Sequence, residues 1–301
     1  MADTRPNLGL LTGEALKHAA GAFAADVRVK IEDTQGGVAT FWDVALLNLF
    51  ARLQQLGDGA WEEQVAQFSA GIEELRATLQ RLQQVVSARA QGRFVEYETR
   101  VAGQAAGAYG ASDIQYFDLL TSQGVFECLQ WKGRPLFKSV YDFSLYPMLL
   151  WALKPATIVE LGSGAGASAC WLADLAGTFS IDTHVYSVDM KPPQAAGERV
   201  TFVAGDCQAI QTVFDERMLR SAPRPWLVIE DAHVNVAGVL AYFDGFLSHG
   251  DYVIVEDSAD KQDDLRRFLS SRPGRYQVDT YYTDFFGRNA TSAQDSILVR
   301  L

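Results

Sequence analysis

Cysteine, positive charge and long apolar runs are what this sequence has little of. Its three cysteines, Cys128, Cys170 and Cys207, are too few and too scattered for a disulfide framework or a zinc knuckle. They suit a reducing compartment, so a cytoplasmic protein with ordinary thiols is expected. No apolar run reaches the ~18 residues of a membrane span, and membrane insertion is not expected. The opening Met1-Ala2-Asp3-Thr4-Arg5 lacks a basic patch followed by an apolar core, which predicts no secretory signal. Lys and Arg number 26 against 37 Asp and Glu, a formal net charge of −11. A body that acidic repels a phosphate backbone, so nucleic acid is not an expected partner. With 48% hydrophobic and 21% charged residues, wholesale disorder is excluded. A chain of 301 residues predicts about two domains, or one large α/β domain with an appendage.

The first ~110 residues show apolar spacing near 3.6 and read as helical. Phe41, Val44, Ala45, Leu47, Leu49, Phe50 and Leu53 make a helix apolar on more than one face. Trp61, Val65, Phe68, Ile72, Leu75, Leu79, Leu82 and Val86 then alternate four and three residues apart, an a/d seam. The seam packs either on its own neighbours or on a second subunit, and a homo-oligomer through these helices is expected. The small-residue stretch Ala102–Gly110 reads as a linker or lid. The expected division is therefore 1–110, a helical lid or oligomerisation region, and 111–301, an α/β domain.

In the second part, short apolar runs alternate with helical stretches. Strands are expected at Thr157–Leu161, His184–Asp189, Val200–Ala204, Trp226–Glu230, Tyr252–Glu256, Gln277–Tyr282 and Ser296–Leu301. The first five predict a parallel sheet with right-handed crossovers. The last two pair as an antiparallel hairpin around a long loop, Thr283 to Asp295.

Glu160-Leu161-Gly162-Ser163-Gly164-Ala165-Gly166-Ala167-Ser168 ends the first strand and opens a helix. Glycines there permit a sharp turn and close approach of a ligand to the main chain, and the helix offers free N–H groups. No Lys follows, so this is not a Walker-type phosphate cradle. Glu160, two residues before the first glycine, would repel a pyrophosphate but suits an ammonium group. Asp189 ends the second strand, where a carboxylate can accept both ribose hydroxyls. Asp206 follows the third, placed for an adenine amino group, with Cys207 and Gln208 beside the ring. Together these describe a pocket for a cationic adenosine: S-adenosylmethionine fits, NAD less well. The alternative is that Asp189 and Asp206 are helix N-caps.

The fourth and fifth strands run into Glu230-Asp231-Ala232-His233 and Glu256-Asp257-Ser258. Neighbouring parallel strands deliver their C-terminal residues to one crevice. Four converging carboxylates repel one another unless some take up protons or a cation compensates. An oxygen-only ligand set suits Mg²⁺ or Ca²⁺. His233, the one histidine in this constellation, is the candidate general base. His18, His184 and His249 read as structural or surface residues.

These residues, with Trp131-Lys132-Gly133-Arg134-Pro135-Leu136-Phe137-Lys138, Asp142 and Gly250-Asp251-Tyr252, resemble the cephalosporin hydroxylase/rhamnosyl O-methyltransferase family. That family is similar to metal-dependent macrolide sugar O-methyltransferases, and the likeness spans roughly residues 115–301. It implies a Rossmann-like class I methyltransferase fold, a seven-stranded, mostly parallel sheet in the order 3-2-1-4-5-7-6, with the helical N-terminal region attached. It implies S-adenosylmethionine held by Lys138, Glu160, Gly162, Ser163, Gly164, Ser168, Asp189, Met190, Asp206, Cys207 and Glu230. It also implies Mg²⁺ on Glu230, Asp231, Glu256 and Asp257, with His233 and Asp231 as catalytic residues. Within the family an Asp ends the fourth strand, three residues before the His; here Glu230 stands there with Asp231 beside it, and Ala232 replaces a frequent second acid. The expected activity is O-methylation of a small natural-product-type acceptor, under a lid that includes Tyr109, Tyr116 and Phe117. Metal-free methylation of a small carboxylic acid is the alternative. A non-catalytic cofactor-binding scaffold and an oxidoreductase are rivals of other classes, the last without a supporting ligand set.

Overall fold

The structure, a computed structural model, describes residues 92–102, 111–194 and 198–301. All of them fall in the compact unit Leu79–Leu301. The expected helices and seam before residue 92, and Tyr109, lie outside the described residues.

The strands β1 (Phe94–Val95), β4 (Thr157–Leu161), β5 (His184–Asp189), β6 (Val200–Ala204), β7 (Trp226–Glu230), β8 (Tyr252–Val255), β9 (Tyr276–Asp279) and β10 (Ile297–Arg300) form one sheet. Its order is β1-β9-β10-β8-β7-β4-β5-β6. The short hairpin β2 (Gln130–Trp131) and β3 (Arg134–Pro135) stands apart. Strands β4 to β8 are mutually parallel, and β10 runs antiparallel to both β8 and β9. The expected 3-2-1-4-5-7-6 order is therefore present, and β1 adds an eighth strand beyond β9, from a stretch read as helical. Four strands match their expected bounds. The run expected to stay extended to Tyr282 stops at Asp279, whose carboxylate accepts from the Tyr281 N–H and opens the helical turn Thr280–Thr283.

Strands β4, β7 and β8 are buried throughout, because helices cover both faces. Period-two alternation divides their side chains. Val159, Val228 and Val253 pack with helices α6 (Val236–Asp244) and α7 (Gln262–Ser270); Ile158, Leu227 and Ile254 pack with α3 (Val140–Leu153) and α4 (Ala167–Thr178). No helix among the described residues is long and apolar enough to cross a membrane.

The loop between β9 and β10 is buried and polar: Asn289, Asp295 and Ser296 are fully covered. Buried polar groups need partners, and the segment around α1 (Tyr97–Arg100) supplies them. Arg100, itself buried, donates from Nε to Asp295 at 2.6 Å and from Nη1 and Nη2 to Asp284 at 2.7 and 2.8 Å. Asn289 joins the set through Nδ2 to Asp295 at 2.9 Å. Residues 93–101 are thus part of the α/β unit, although the sequence placed them in the N-terminal region. Arg100→Met leaves two buried carboxylates without their cation. It is expected to lower unfolding free energy by about 3–5 kcal/mol, read from guanidinium unfolding.

Candidate functional site

The glycine turn leaves β4 at the C-terminal edge of the sheet, where strand order reverses between β4 and β7. Gly162 has φ +106°, and a Cβ there would lie 2.5 Å from the carbonyl oxygen of Asp231. Only glycine lets the turn pass this close to the end of β7. Gly162 N and Ser163 N donate to Val188 O of β5, and Asp231 N donates to Leu161 O at 2.8 Å. Those backbone bonds lock the turn to the ends of both neighbouring strands.

Glu160 is buried under this turn. Its Oε2 accepts from Ser187 Oγ at 2.5 Å, and Ser163 Oγ lies 2.6 Å from the same hydroxyl. Burial raises its pKa; the Lys138 charge and the Ser168 and Ser187 hydroxyls oppose the rise. Asp189 meets the turn from β5, accepting from Gly164 N at 3.1 Å and from Lys191 N at 2.9 Å. Glu160 and Asp189 therefore both serve one turn. Met190 beside them is 72% exposed. Asp206 caps the 3-10 turn Cys207–Thr212 through Gln208 N at 2.8 Å, the N-cap alternative for that residue. Cys207, expected beside a ring, packs in the core with Val188 and Ile210, and burial pushes its thiol up to about 11.

The acids at the ends of β7 and β8 separate into two kinds. Asp231 and Asp257 are partly exposed, and with His233 they form the one metal-competent group found among the described residues, ligand atoms within 4.8 Å of one another. His233 Nε2 lies 3.4 Å from Asp231 Oδ1 and 3.5 Å from Asp257 Oδ2. The bond to Asp231 raises the imidazole pKa. Two carboxylates and an imidazole suit a divalent cation.

Glu230 and Glu256 are fully buried, and each faces a lysine instead. Both were expected in the metal set with Asp231 and Asp257. Lys261 Nζ donates to Glu230 Oε2 at 3.0 Å. Lys138 Nζ, 4% exposed, donates to Glu256 and, at 3.1 Å, to Asp231. Tyr146 OH donates to the other oxygen of Glu256. Burial weakens the Lys138 charge, but Asp231, Glu256 and Glu160 outweigh it and raise its pKa. Burial lifts Glu256 above the usual carboxylate range, with Lys138 opposing. Asp231 goes the other way: burial would raise it, and Lys138 and His233 pull it below that range. Lys138, expected at the cofactor, is thus the counter-ion of the acid crevice. Lys261 and Tyr146 carried no sequence signal, since neither lies in a glycine turn or a strand-end acid run.

A family model described as Rhamnosyl O-methyltransferase/CmcI matches residues 123–279. A rhamnosyl O-methyltransferase from Mycobacterium leprae (strain TN) is 27% identical over 196 residues, covering 58% of this chain and 85% of that protein. A solved CmcI structure with Mg-SAM is 29% identical, covers 67% of this chain and 83% of its own, and superposes with a TM-score of 0.50. A CmcI apo-structure is 26% identical with the same coverage and a TM-score of 0.52.

Lys138→Met strands Glu256 in the core and is expected to cost about 3–5 kcal/mol of unfolding free energy. Adding Glu256→Gln removes the stranded acid and should return roughly 1 kcal/mol or more of that loss. A double-mutant cycle by urea unfolding measures both.

Proposed function

From the premise that this chain belongs to the Rhamnosyl O-methyltransferase/CmcI family, we propose that it transfers the methyl group of S-adenosylmethionine to a hydroxyl of a small natural-product-type acceptor, with Mg²⁺ assisting. The observation that carries this reading is contact between two devices. The backbone of Gly162, in the turn suited to a cationic nucleoside, touches the backbone of Asp231, in the cation-competent cluster. A methyl donor and an activated hydroxyl need that adjacency, because much of the acceleration comes from holding two reactants in line.

The glycine turn, braced by Asp189 from β5, receives the cofactor, and Glu160 beneath it supplies negative charge. The oxygens of Asp231 and Asp257 would hold Mg²⁺. The bound groups supply an electrophilic methyl and a lowered acceptor pKa. His233, half-exposed at the rim, has Nε2 turned to Asp231, which orients the ring, and takes the proton of the acceptor hydroxyl on its other ring nitrogen. Tyr116 and Phe117, 59% and 71% exposed, are available to cover an acceptor. The relative named a rhamnosyl O-methyltransferase points to a sugar hydroxyl as the first acceptor to try. The free thiols of Cys128, Cys170 and Cys207 suit the cytoplasm as the setting. Assembly into a homo-oligomer through the N-terminal helical region, residues 1–110, belongs to the same proposal.

One observation favours a second reading, metal-free methylation of a carboxylate: Lys138 and Lys261 already compensate two of the four acids. An ionised acceptor needs neither base nor Lewis acid.

Incubation with S-adenosylmethionine and panels of sugars and small acids, followed by mass spectrometry, tests both. EDTA should abolish transfer to a hydroxyl and Mg²⁺ restore it; transfer that survives EDTA supports the second reading. His233→Ala should lower kcat by about 10²–10⁴-fold, with S-adenosylhomocysteine affinity by calorimetry changed less than about threefold. Absence of S-adenosylhomocysteine binding by the intact chain would refute both readings.

A further inference from the structure

We propose that Glu230 and Lys261 are a positioning pair that sets the Asp231, His233 and Asp257 cluster, and that Asp231, one residue beyond the place the family likeness gives to Glu230, supplies the ligand at the end of β7. The inference rests on the metal-assisted reading above and deepens it.

Both carboxylate oxygens of Glu230 are committed inside the protein. Oε1 accepts from the backbone N–H of Ala232 at 3.1 Å and of His233 at 3.2 Å. Oε2 accepts from Lys261 Nζ at 3.0 Å. The side chain is 0% exposed. It therefore staples the turn that carries Asp231 and His233 back onto the strand it leaves. Lys261 belongs to the other turn, which leaves β8: its N–H donates to Ser258 O at 3.1 Å. Glu256 N donates to Glu230 O at 2.9 Å, so the two strand ends already touch. The ion pair crosses between the turns and fixes Asp257 on one side relative to Asp231 and His233 on the other.

The backbone geometry is consistent with such a brace. His233, Asn235 and Asp257 have φ of +57°, +50° and +46°. Non-glycine residues are uncommon in this left-handed region, and His, Asn and Asp are the types that enter it most readily. Three such residues within the two turns match a cluster held in place by surrounding contacts. Alternation places adjacent side chains on opposite sides of the chain. With Glu230 turned inward, Asp231 is the acid that the chain delivers to the crevice.

The test uses the intact chain, with Mn²⁺ as the paramagnetic probe. Glu230→Gln should still bind Mn²⁺, about 10–100-fold more weakly, as expected when a residue that orients a ligand is altered. Asp231→Asn and Asp257→Asn should abolish Mn²⁺ binding. In Glu230→Gln the Ala232 and His233 amides should exchange with solvent at least ~10-fold faster by NMR, and kcat should fall while KM for the acceptor changes less than about threefold. Lys261→Arg should keep Mn²⁺ affinity within about threefold and Lys261→Met should not. These two variants decide the matter if Glu230→Gln does not fold. Loss of Mn²⁺ in Glu230→Gln with retention in Asp231→Asn overturns the proposal. So do unchanged exchange at Ala232 and His233, or full affinity in Lys261→Met. If the unaltered chain takes up no Mn²⁺, the metal reading is the one that fails. The staple then stands or falls on amide exchange alone.

Discussion

A parallel sheet that ends in acids must find positive charge for those it buries, and the rest of this site depends on how it does so. Glu230 and Glu256 lie where water cannot screen them. An isolated carboxylate there is prohibitively costly. Lys261 and Lys138 answer one each. Asp231, which shares Lys138 through one oxygen, and Asp257 remain partly exposed next to His233. Structural charge and chemical charge are thus sorted by depth: the deeper acids are neutralised from within, and the shallower ones face the crevice.

Lys138 is held in place by a part of the chain far from it in sequence. It immediately precedes Ser139, the N-cap of α3, whose Oγ accepts from Asp142 N at 3.1 Å and donates to Asp142 Oδ2 at 2.5 Å. Asp142 in turn accepts from Thr291 Oγ1 at 2.5 Å and from Ser292 N at 3.2 Å. The loop between β9 and β10 therefore anchors the start of α3, and α3 aims Lys138 at the acids. Arg100 completes the chain of contacts by binding Asp284 and Asp295 in the same loop. The same loop also bonds Ser258, next to Asp257, through Ser292 O at 3.0 Å, so it bears on the cluster from two directions.

The parallel strands and the glycine turn were legible because each has a local cause. Thr157–Leu161 and Trp226–Glu230 are apolar runs bounded by turn residues, and burial on both faces needs such runs. The crevice acids were legible because strand ends converge there. So was the need for a compensating cation, but not that lysines supply it to Glu230 and Glu256. Which acids turn inward depends on pairing with lysines about thirty and well over one hundred residues away, and no periodicity records that. β1 was missed for a related reason: a two-residue strand has too few positions to show alternation, and only its partner β9 defines it. Asp206 shows the reverse limit. A carboxylate after a strand suits a ligand and a cap equally well, and here its Oδ1 is bonded to the backbone.

The addition of Phe94–Val95 to β9 changes what the margin of the sheet offers to other chains. A fully extended border strand is a template for unwanted pairing, and a very short one is a common protection. Arg93 fastens this guard through Nε and Nη2 to both oxygens of Asp279. A recombinant fragment begun downstream of residue 96 would keep every strand of the central fold and still lose that guard. Its exposed β9 would invite self-association, so trimming at the apparent start of the α/β pattern trades solubility for brevity.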